Sequence, residues 1–241
     1  MATARSLALS LLTGSLRTQR QDTRQVGVPA AMSAALYPRG CGGRVELESY
    51  IHDAFARGYG AEVKHYLPQL MSLRDGQGEL LAALGMRCGS SEPLFLENYL
   101  DQPVEQRLAA VAGVAVQRDS IVEIGNLASS RSGAARWLFL ALAAYLHGRG
   151  AQWAIFTVAP FLKNTFLKLG FNLRVLAKAD KARLGDAARE WGSYYDAEPE
   201  VLAVDVTQAF YAVLQFARAR GDESLLQLCA DAYEMGGRSR G

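Results

Sequence analysis

Apolar residues repeat along the chain at two spacings, one typical of helices and one typical of strands. The helical spacing predicts helices over 45–57, 94–112 with a break at Pro103, 133–147, 161–169, 205–219 and 222–235. Short apolar runs predict strands over 65–74, 79–87, 121–124, 151–158 and 172–178. The first two runs flank the Gly-rich turn 75–78 and therefore predict a β-hairpin.

This order of elements predicts an α/β protein of the α+β type. We expect a central mixed, mostly antiparallel sheet flanked by helices, with extra helices at the C-terminus. The strand, helix and strand within 121–158 predict a parallel unit. Units of this kind bind ligands at the carboxyl end of the first strand, where the helix begins.

The first 44 residues differ in composition from the rest of the chain. They hold six arginines and one acid, Asp22, for a net charge of +5, and they end in a run of Pro and Gly residues. We therefore expect a disordered or loosely attached basic leader over 1–44, a folded domain over 45–204 and a helical extension over 205–241. Polar residues dilute the apolar stretch of the leader, so a secretion signal is the less favoured interpretation.

Composition narrows the class of protein. Half of the 241 residues are hydrophobic and 21% are charged, so the chain can bury a sizeable core, and the net charge of +2 gives no reason to propose nucleic acid as a partner. The longest apolar run, Trp137–Leu146, is shorter than the roughly 18 residues that a membrane-spanning helix needs. The three cysteines and three histidines lie far apart, so neither a disulfide framework nor a metal site is predicted. We expect a cytoplasmic protein with no metal and no tightly bound cofactor.

The segment 122–136 carries the most specific chemistry. A strand leads through Ser and Gly residues into an apolar helix, whose N-terminus has a partial positive charge, and Arg131 and Arg136 add two more charges. This combination suits a phosphate, such as the pyrophosphate of coenzyme A or the phosphopantetheine of an acyl carrier; a capped helix with surface arginines is the alternative. The residues predicted to bind such a donor are Asn126, Leu127, Ala128, Arg131, Ser132, Gly133, Ala134 and Ala135.

Two groups of carboxylates are candidates for substrate chemistry. Period-two alternation places Glu123 beside apolar residues, where the loss of hydration should raise its pKa toward the range of a general base. A structural ion pair with Arg87 across the sheet is an equally good interpretation. Glu97 and Asp101 repeat at a four-residue spacing that continues to Glu105, so they line one face if the helix is not interrupted. That face either binds the substrate or is simply solvated.

Two motifs resemble those of the GNAT superfamily of N-acyltransferases. Residues 130–135 (SRSGAA) are similar to the R/Q-x-x-G-x-G/A loop that cradles the pyrophosphate of the acyl donor, and they match its Gly and its final Ala. Residues 166–171 (FLKLGF) are similar to the Y-x-x-x-G-F ending of a later helix. Phe166 stands where many members carry the tyrosine that protonates the leaving thiolate. The resemblance implies that Phe166 lies at the substrate and that Tyr195 is a candidate replacement for the acid.

More of the chain resembles the thermostable hemolysin family. The motifs that carry this resemblance are Tyr66–Pro68, Ala83–Arg87, Leu94–Glu105, Val122–Ala128 and Trp191–Tyr195. They all lie within 45–204. The family is in turn similar to bacterial autoinducer synthases, which move an acyl chain from an acyl carrier protein to an amine. Their E-x-x-R strand matches residues 123–126 with Asn126 in place of the arginine, and Arg87 matches their arginine after the third strand.

The resemblance implies an acyltransferase. It would move an acyl group from an acyl-CoA or acyl-carrier-protein thioester to a small amine acceptor by direct attack, with Glu123, Arg87 and Tyr195 as the catalytic candidates. Two alternatives remain. One is a membrane-lytic protein, as the family name suggests, acting through the amphipathic segment 205–219, and the other is a non-catalytic module that binds acyl carriers.

Overall fold

The computed structural model describes residues 32–130 and 133–239, which form a seven-stranded sheet with helices on both faces. The strands are β1 (Ser33–Pro38), β2 (Gln69–Arg74), β3 (Leu80–Cys88), β4 (Ile121–Ser129), β5 (Trp153–Val158), β6 (Leu173–Lys178) and β7 (Glu200–Asp205). The helices are α1 (Arg44–Tyr59), α2 (Val104–Ala112), α3 (Ala134–Arg149), α4 (Pro160–Lys168), α5 (Val206–Arg220) and α6 (Glu223–Arg238). Short 3₁₀ segments cover Phe95–Tyr99, Arg118–Ser120, Lys181–Trp191 and Tyr194–Ala197.

The strands lie in the order β1-β2-β3-β4-β5-β7-β6. Every neighbouring pair is antiparallel except β4 and β5, which are parallel. The predicted fold class, a mixed and mostly antiparallel sheet flanked by helices, is therefore confirmed. The predicted hairpin is the pair β2–β3, and the predicted parallel unit is β4–α3–β5.

The sheet separates two faces that have different covers. We call the side covered by α3, α4, α5 and α6 the back face, and the side covered by α1, α2 and the 3₁₀ segments the front face. Because side chains alternate along a strand, β4 directs Val122 and Ile124 into the back core and Ile121 and Glu123 to the front. The front face is the one that carries the polar groups discussed below.

Helix α3 forms the centre of the back core. It is apolar nearly all round, as expected for a buried helix, and glycines with positive φ flank both of its ends. Helix α6 packs so closely against α3 that the two backbones are in contact. A Cβ on Gly148 would lie 2.1 Å from the carbonyl oxygen of Tyr233, and a Cβ on Gly236 would lie 2.1 Å from that of Tyr145. Both positions therefore require glycine.

Part of the predicted leader belongs to the sheet. Ser33–Pro38 forms β1 and pairs with β2 along its whole length. Arg44 is buried, and its guanidinium donates hydrogen bonds to the carbonyls of Tyr37 at 2.9 Å, Leu67 at 2.8 Å and Pro68 at 2.9 Å. It thereby ties the start of α1 to the strands on either side. The remainder of the predicted leader, 1–31, lies outside the described residues.

The two predicted C-terminal helices are confirmed as α5 and α6. Their N-caps are Asp205 and Asp222, whose carboxylates accept hydrogen bonds from the backbone of Gln208 at 2.9 Å and Leu225 at 3.0 Å. Both helices pack on α3, so they complete the back core. Over the two described ranges, no helix has both the length and the apolar character needed to cross a bilayer.

Candidate functional site

The parallel strands β4 and β5 separate at their carboxyl ends. They pair only from Ile121 opposite Trp153 to Ile124 opposite Phe156. Beyond that point β4 continues to Ser129 beside β3 alone, and β5 continues beside β7 alone. We call this opening the fork. Within 32–130 and 133–239, no strand pairs with the backbone of 125–129 on its β5 side, so an extended ligand could pair with it as an added strand would.

A β-bulge shapes the β4 side of the fork. The register with β3 shifts between Ala83 and Gly85, and Asn126 has a φ of 51°. The side chain of Asn126 accepts a hydrogen bond from the Leu67 backbone at 2.9 Å and donates one to the His65 carbonyl at 3.3 Å. Asn126 thus ties the segment before β2 across the front of the fork.

Glycines on β3 and β4 make room for that segment. A Cβ on Gly85 would lie 2.8 Å from the Cβ of Leu67, and one on Gly125 would lie 3.1 Å from the Cδ1 of Leu67. The side chain of Leu67 therefore rests on the strand backbones at the fork. Any larger residue at Gly85 would push it away.

Asn126→Ala is expected to lower the free energy of unfolding by about 2 to 3 kcal/mol, because it removes two side-chain hydrogen bonds and leaves a less tolerant residue at positive φ. Urea unfolding measures the change. Asn126→Gly is the matched control: it loses the same hydrogen bonds but relieves the backbone, so its loss should be smaller. Equal stability of the alanine variant and the wild type would show that the tie contributes nothing.

The N-terminus of α3 follows β4 in the parallel β4–α3–β5 unit, at the end of the sheet where the fork lies. Gly133 has a φ of 91° and precedes Ala134 and Ala135, whose backbone N–H groups belong to the unpaired first turn of the helix. Leu127 packs against the back core and Ala128 is buried against α1, so these two residues offer only backbone atoms to a ligand. The remaining predicted donor ligands, Arg131 and Ser132, lie outside the described residues.

Glu123 is a buried carboxylate beside the fork. It is only 2% exposed, and it accepts hydrogen bonds from the backbone of Phe95 at 3.2 Å and Leu96 at 2.9 Å. Burial raises the pKa of Glu123 above its ordinary value, and these hydrogen bonds together with the charge of Arg87 oppose the rise only in part. The direction of the pKa shift agrees with the prediction from strand alternation.

Arg87 stands between two carboxylates. It lies opposite Glu123 in the β3–β4 register, and its Nε is 3.7 Å from Glu123 Oε2 and 3.6 Å from Glu92 Oε2. Its Nη1 donates to the Pro93 carbonyl at 2.5 Å. The predicted cross-strand pair is therefore present. Arg87 Nε is buried without a hydrogen-bond partner among the described residues, so it acts on Glu123 through its charge and not through a hydrogen bond.

Aromatic side chains cover the front face next to Glu123. The hydroxyl of Tyr195 is hydrogen-bonded to that of Tyr99, and burial raises the pKa of both phenols. The Tyr194 hydroxyl donates to the Thr157 carbonyl at 3.2 Å, just beyond the last paired residue of β5. The aromatic cluster, as we call it, comprises Phe55, Tyr59, Phe95, Tyr99, Trp191, Tyr194 and Tyr195. Both phenols of the Tyr99–Tyr195 pair therefore remain protonated near neutral pH.

The acidic residues predicted on one helical face are used elsewhere. The Glu97 carboxylate takes two hydrogen bonds of 2.7 Å from Arg118 and one of 3.1 Å from the backbone of Val104, at the start of α2. Asp101 is exposed and pairs with Arg183 at 2.7 Å. Neither carboxylate is turned toward the fork. The helical stripe that suggested substrate binding does not form, because the 3₁₀ segment and α2 are separate elements.

Phe166 lies on the back face beneath the fork. It is 1% exposed and packs against Phe139 and Phe156, with ring centroids 4.5 and 5.1 Å away. Together with Ile124 these rings line a small apolar cavity of about 30 Å³. Phe166 is therefore a wall of this cavity and supplies no acid. Over 32–130 and 133–239, no three His, Cys, Asp or Glu side chains come close enough together to hold a metal ion.

A protein-family model matches most of the length of the chain. The family model described as "Thermostable hemolysin" matches residues 38–210. The chain belongs to the thermostable hemolysin family. Among curated protein sequences, none matches it.

This family member shares its fold with several solved enzymes. The apo form of TofI aligns with a TM-score of 0.53 at 16% identity, covering 75% of this chain and 95% of TofI. FeeM, an N-acyl amino acid synthase from uncultured soil microbes, aligns with a TM-score of 0.53 at 15% identity, over 78% and 98% of the two chains. BjaI, a CoA-dependent acyl-homoserine lactone synthase with SAM and isopentyl-CoA, aligns with a TM-score of 0.52 at 17% identity, over 80% and 90%. The predicted likeness to autoinducer synthases is confirmed at the level of fold.

The family motifs converge on the fork. Tyr66–Pro68 crosses its front, Val122–Ala128 forms its β4 side and Ala83–Arg87 is the β3 segment paired with it. The segments Leu94–Glu105 and Trp191–Tyr195 supply the aromatic cluster except for Phe55 and Tyr59 of α1. Sequence reasoning missed Tyr99 and Leu67 as site residues. Both lie inside those motifs, so the motifs were the signal that could have identified them.

Proposed function

We propose that the protein is an N-acyltransferase that moves an acyl group from a thioester donor to an amine acceptor. The observation that carries this proposal is the position of the desolvated Glu123 carboxylate beside the fork. A strand opening accepts an extended thioester arm, and a carboxylate with a raised pKa removes a proton from an attacking amine. The names of BjaI and FeeM, which share the fold, fit this class of reaction. Such a reaction draws on acyl thioesters made in the cytoplasm, so we place the protein there.

The donor would lie with its polar arm on the β4 side of the fork. The pantetheine amides pair with the free backbone of 125–129, and the phosphates lie at the N-terminus of α3 near Gly133, Ala134 and Ala135. Arg131 and Ser132 complete this anion site in our proposal. The acyl group then points past Ile124 toward the apolar cavity that Phe166 lines, whose volume of about 30 Å³ admits only a short chain. No tightly bound cofactor is required, because the donor is a co-substrate.

The chemistry follows from the groups on the front face. The amine nitrogen attacks the thioester carbonyl while Glu123 accepts the amine proton, and N–H groups of the fork backbone stabilise the oxyanion. The tetrahedral intermediate collapses to an amide and a thiolate. Tyr195 donates its phenolic proton to that thiolate and is reprotonated through Tyr99, and the proton that Glu123 took from the amine restores the pair. Arg87 holds the charge of Glu123 in place as a positioning residue.

The test is release of free thiol by the purified full chain. Acyl-CoA donors and acyl-carrier-protein donors form two arms, each combined with amino acids and polyamines as acceptors. We expect thiol release that depends on the acceptor, with the matching amide found by mass spectrometry. The arm that reacts identifies the donor class. No donor binding in either arm at millimolar concentration would contradict the proposal, and tight binding without turnover would favour the non-catalytic carrier-binding module.

Tyr195→Phe is expected to lower kcat by about 10²-fold while leaving KM for the donor nearly unchanged, because it removes only the proton for the departing thiolate. Donors with a more acidic aryl thiol need no such proton, so they should restore most of the lost rate. Tyr211→Phe, which removes an exposed hydroxyl on α5, is the control. An equal loss of rate with alkyl and aryl thioesters would assign Tyr195 a purely structural role.

Membrane lysis receives less support. The predicted amphipathic segment is α5, and its apolar residues Phe210 and Leu214 are buried in the back core. Insertion into a bilayer would first require α5 to leave α3. Dye release from liposomes by the purified full chain would support that function instead.

A further inference from the structure

A second cavity lies at the opposite end of β4 from the fork. It has a volume of about 170 Å³ and lies between the strands β2, β3 and β4 and the last two turns of α3. One part of its wall is apolar, formed by Met86, Val122 and Leu146. The other part is polar, formed by Gln69, Tyr145 and Arg149. Such a pairing of an apolar wall with a few converging polar groups is typical of sites for small ligands.

Arg149 brings a charge to this cavity, and no acid of the described residues pairs with it. Its Nη1 donates to Gln69 Oε1 at 3.5 Å and to the Tyr145 hydroxyl at 3.3 Å, both long contacts. Its Nε and Nη2 make no hydrogen bond with any described residue, and no Asp or Glu lines the cavity. Arg87 also borders the cavity, but its charge is balanced by Glu92 and Glu123.

We propose that this cavity binds a small carboxylate with a short apolar chain. The planar guanidinium of Arg149 has two donors free on one edge, which suits the two oxygens of a carboxylate. The Tyr145 hydroxyl and the Gln69 amide lie beside it to complete the polar end. The alkyl chain lies against Met86, Val122 and Leu146. The proposal does not depend on the acyltransferase activity, because Arg149, Tyr145 and Gln69 lie away from the fork and only Leu146 also borders the cavity beneath Phe166.

Cys88 provides a reporter inside the cavity wall. Cys88 is half-buried in that wall. Cys41 is exposed and does not line the cavity. Cys229 is buried, and burial raises its pKa to about 12. Iodoacetate is itself a small carboxylate, and iodoacetamide is its uncharged counterpart. The ratio of the two alkylation rates at one thiol cancels differences in access and leaves the effect of charge.

The experiment measures that ratio by mass spectrometry on the full chain. We expect the iodoacetate to iodoacetamide ratio to be about tenfold higher at Cys88 than at Cys41, since a charge-assisted hydrogen bond holds the anion in place. Arg149→Gln should bring the ratio at Cys88 down to that of Cys41, and Arg149→Lys should keep part of it. Arg220→Gln is the matched control, because Arg220 is the last residue of α5 as Arg149 is of α3.

A second arm needs no variant. Butyrate should protect Cys88 from iodoacetamide in a saturable way and leave Cys41 unprotected, whereas butyramide should protect neither. Equal ratios at the two cysteines, an unchanged ratio in a folded Arg149→Gln protein, or equal protection by butyrate and butyramide would each overturn the proposal. Because the butyrate arm uses the unaltered chain, misfolding of a variant would not leave the question open.

Discussion

Glu123→Gln is expected to lower the rate of thiol release by about 10²-fold or more, with donor affinity changed by less than about twofold. The amide keeps the shape of the side chain and an oxygen that accepts from the backbone of Leu96, but it loses the 3.2 Å hydrogen bond from Phe95 and cannot take a proton from the amine. Steady-state kinetics and donor titration on the folded variant separate the two quantities. Full activity in the glutamine variant would remove Glu123 from the chemistry.

Glu97→Gln is the matched control for this substitution. Its carboxylate is also partly buried and paired with an arginine, Arg118, but it lies outside the fork. Arg118 holds the pKa of Glu97 below its ordinary value, so that ion pair stabilises the protein at neutral pH. The control should therefore lose stability and keep its kcat. Loss of kcat in both variants would point to a general disturbance of the front face.

The pH dependence distinguishes the two roles of Glu123. Its pKa is raised, so kcat/KM should rise with pH as the carboxylate ionises in the folded protein, and this limb should be missing from Glu123→Gln. The free energy of unfolding changes with pH in the opposite direction to kcat/KM. The folded state holds the Glu123 proton more tightly than the unfolded chain does, so this contribution is fully present below the ordinary pKa of 4.5 and is lost as pH rises through the folded pKa. The stability of the wild type relative to the glutamine variant should fall over that range.

Gly148→Ala is expected to cost about 3 kcal/mol or more of the free energy of unfolding. The new Cβ would lie 2.1 Å from the carbonyl oxygen of Tyr233, which is backbone and cannot rotate away, so α3 and α6 must move apart. This loss exceeds the gain of about 1 kcal/mol that alanine usually brings to a helix interior. Urea denaturation followed by circular dichroism measures it.

Gly58→Ala is the control, and we expect it to raise the free energy of unfolding where Gly148→Ala lowers it. Gly58 lies in α1, and a Cβ there would meet nothing within 4 Å. The control should therefore gain about 1 kcal/mol from helix propensity alone. Gly236→Ala tests the second half of the α3–α6 contact and should behave like Gly148→Ala. A stable Gly148→Ala protein would show that the two helices are farther apart than described.

Local sequence patterns predicted the elements that have a strong apolar periodicity. They failed for strands whose extent depends on pairing with residues distant in the sequence. The helix 133–147, the hairpin and both C-terminal helices follow from apolar spacing. Strand β1 was missed, because six residues next to a Pro-Arg-Gly breaker resemble a loop until β2 pairs with them. Strand β4 extends five residues beyond its prediction, because Gly125 and Asn126 resemble a turn and instead form a bulge.

The site was predictable to the extent that it depends on one strand and its neighbour. Alternation along β4 predicted the burial of Glu123, and the sheet order made Arg87 its partner. The Tyr99–Tyr195 hydrogen bond joins residues 96 positions apart, and no sequence pattern encodes such a distance. For the same reason the sequence did not predict the ion pair of Glu97, because its partner Arg118 lies after α2.

The backbone contact between α3 and α6 has a consequence for where this protein can be shortened. The family match stops at residue 210, inside α5, yet the helix whose start borders the fork is covered along its length by α6. A fragment cut at that border would leave Leu140, Ala144 and their neighbours facing water. The residues that match the family model and the residues that must fold together therefore end at different places in this chain.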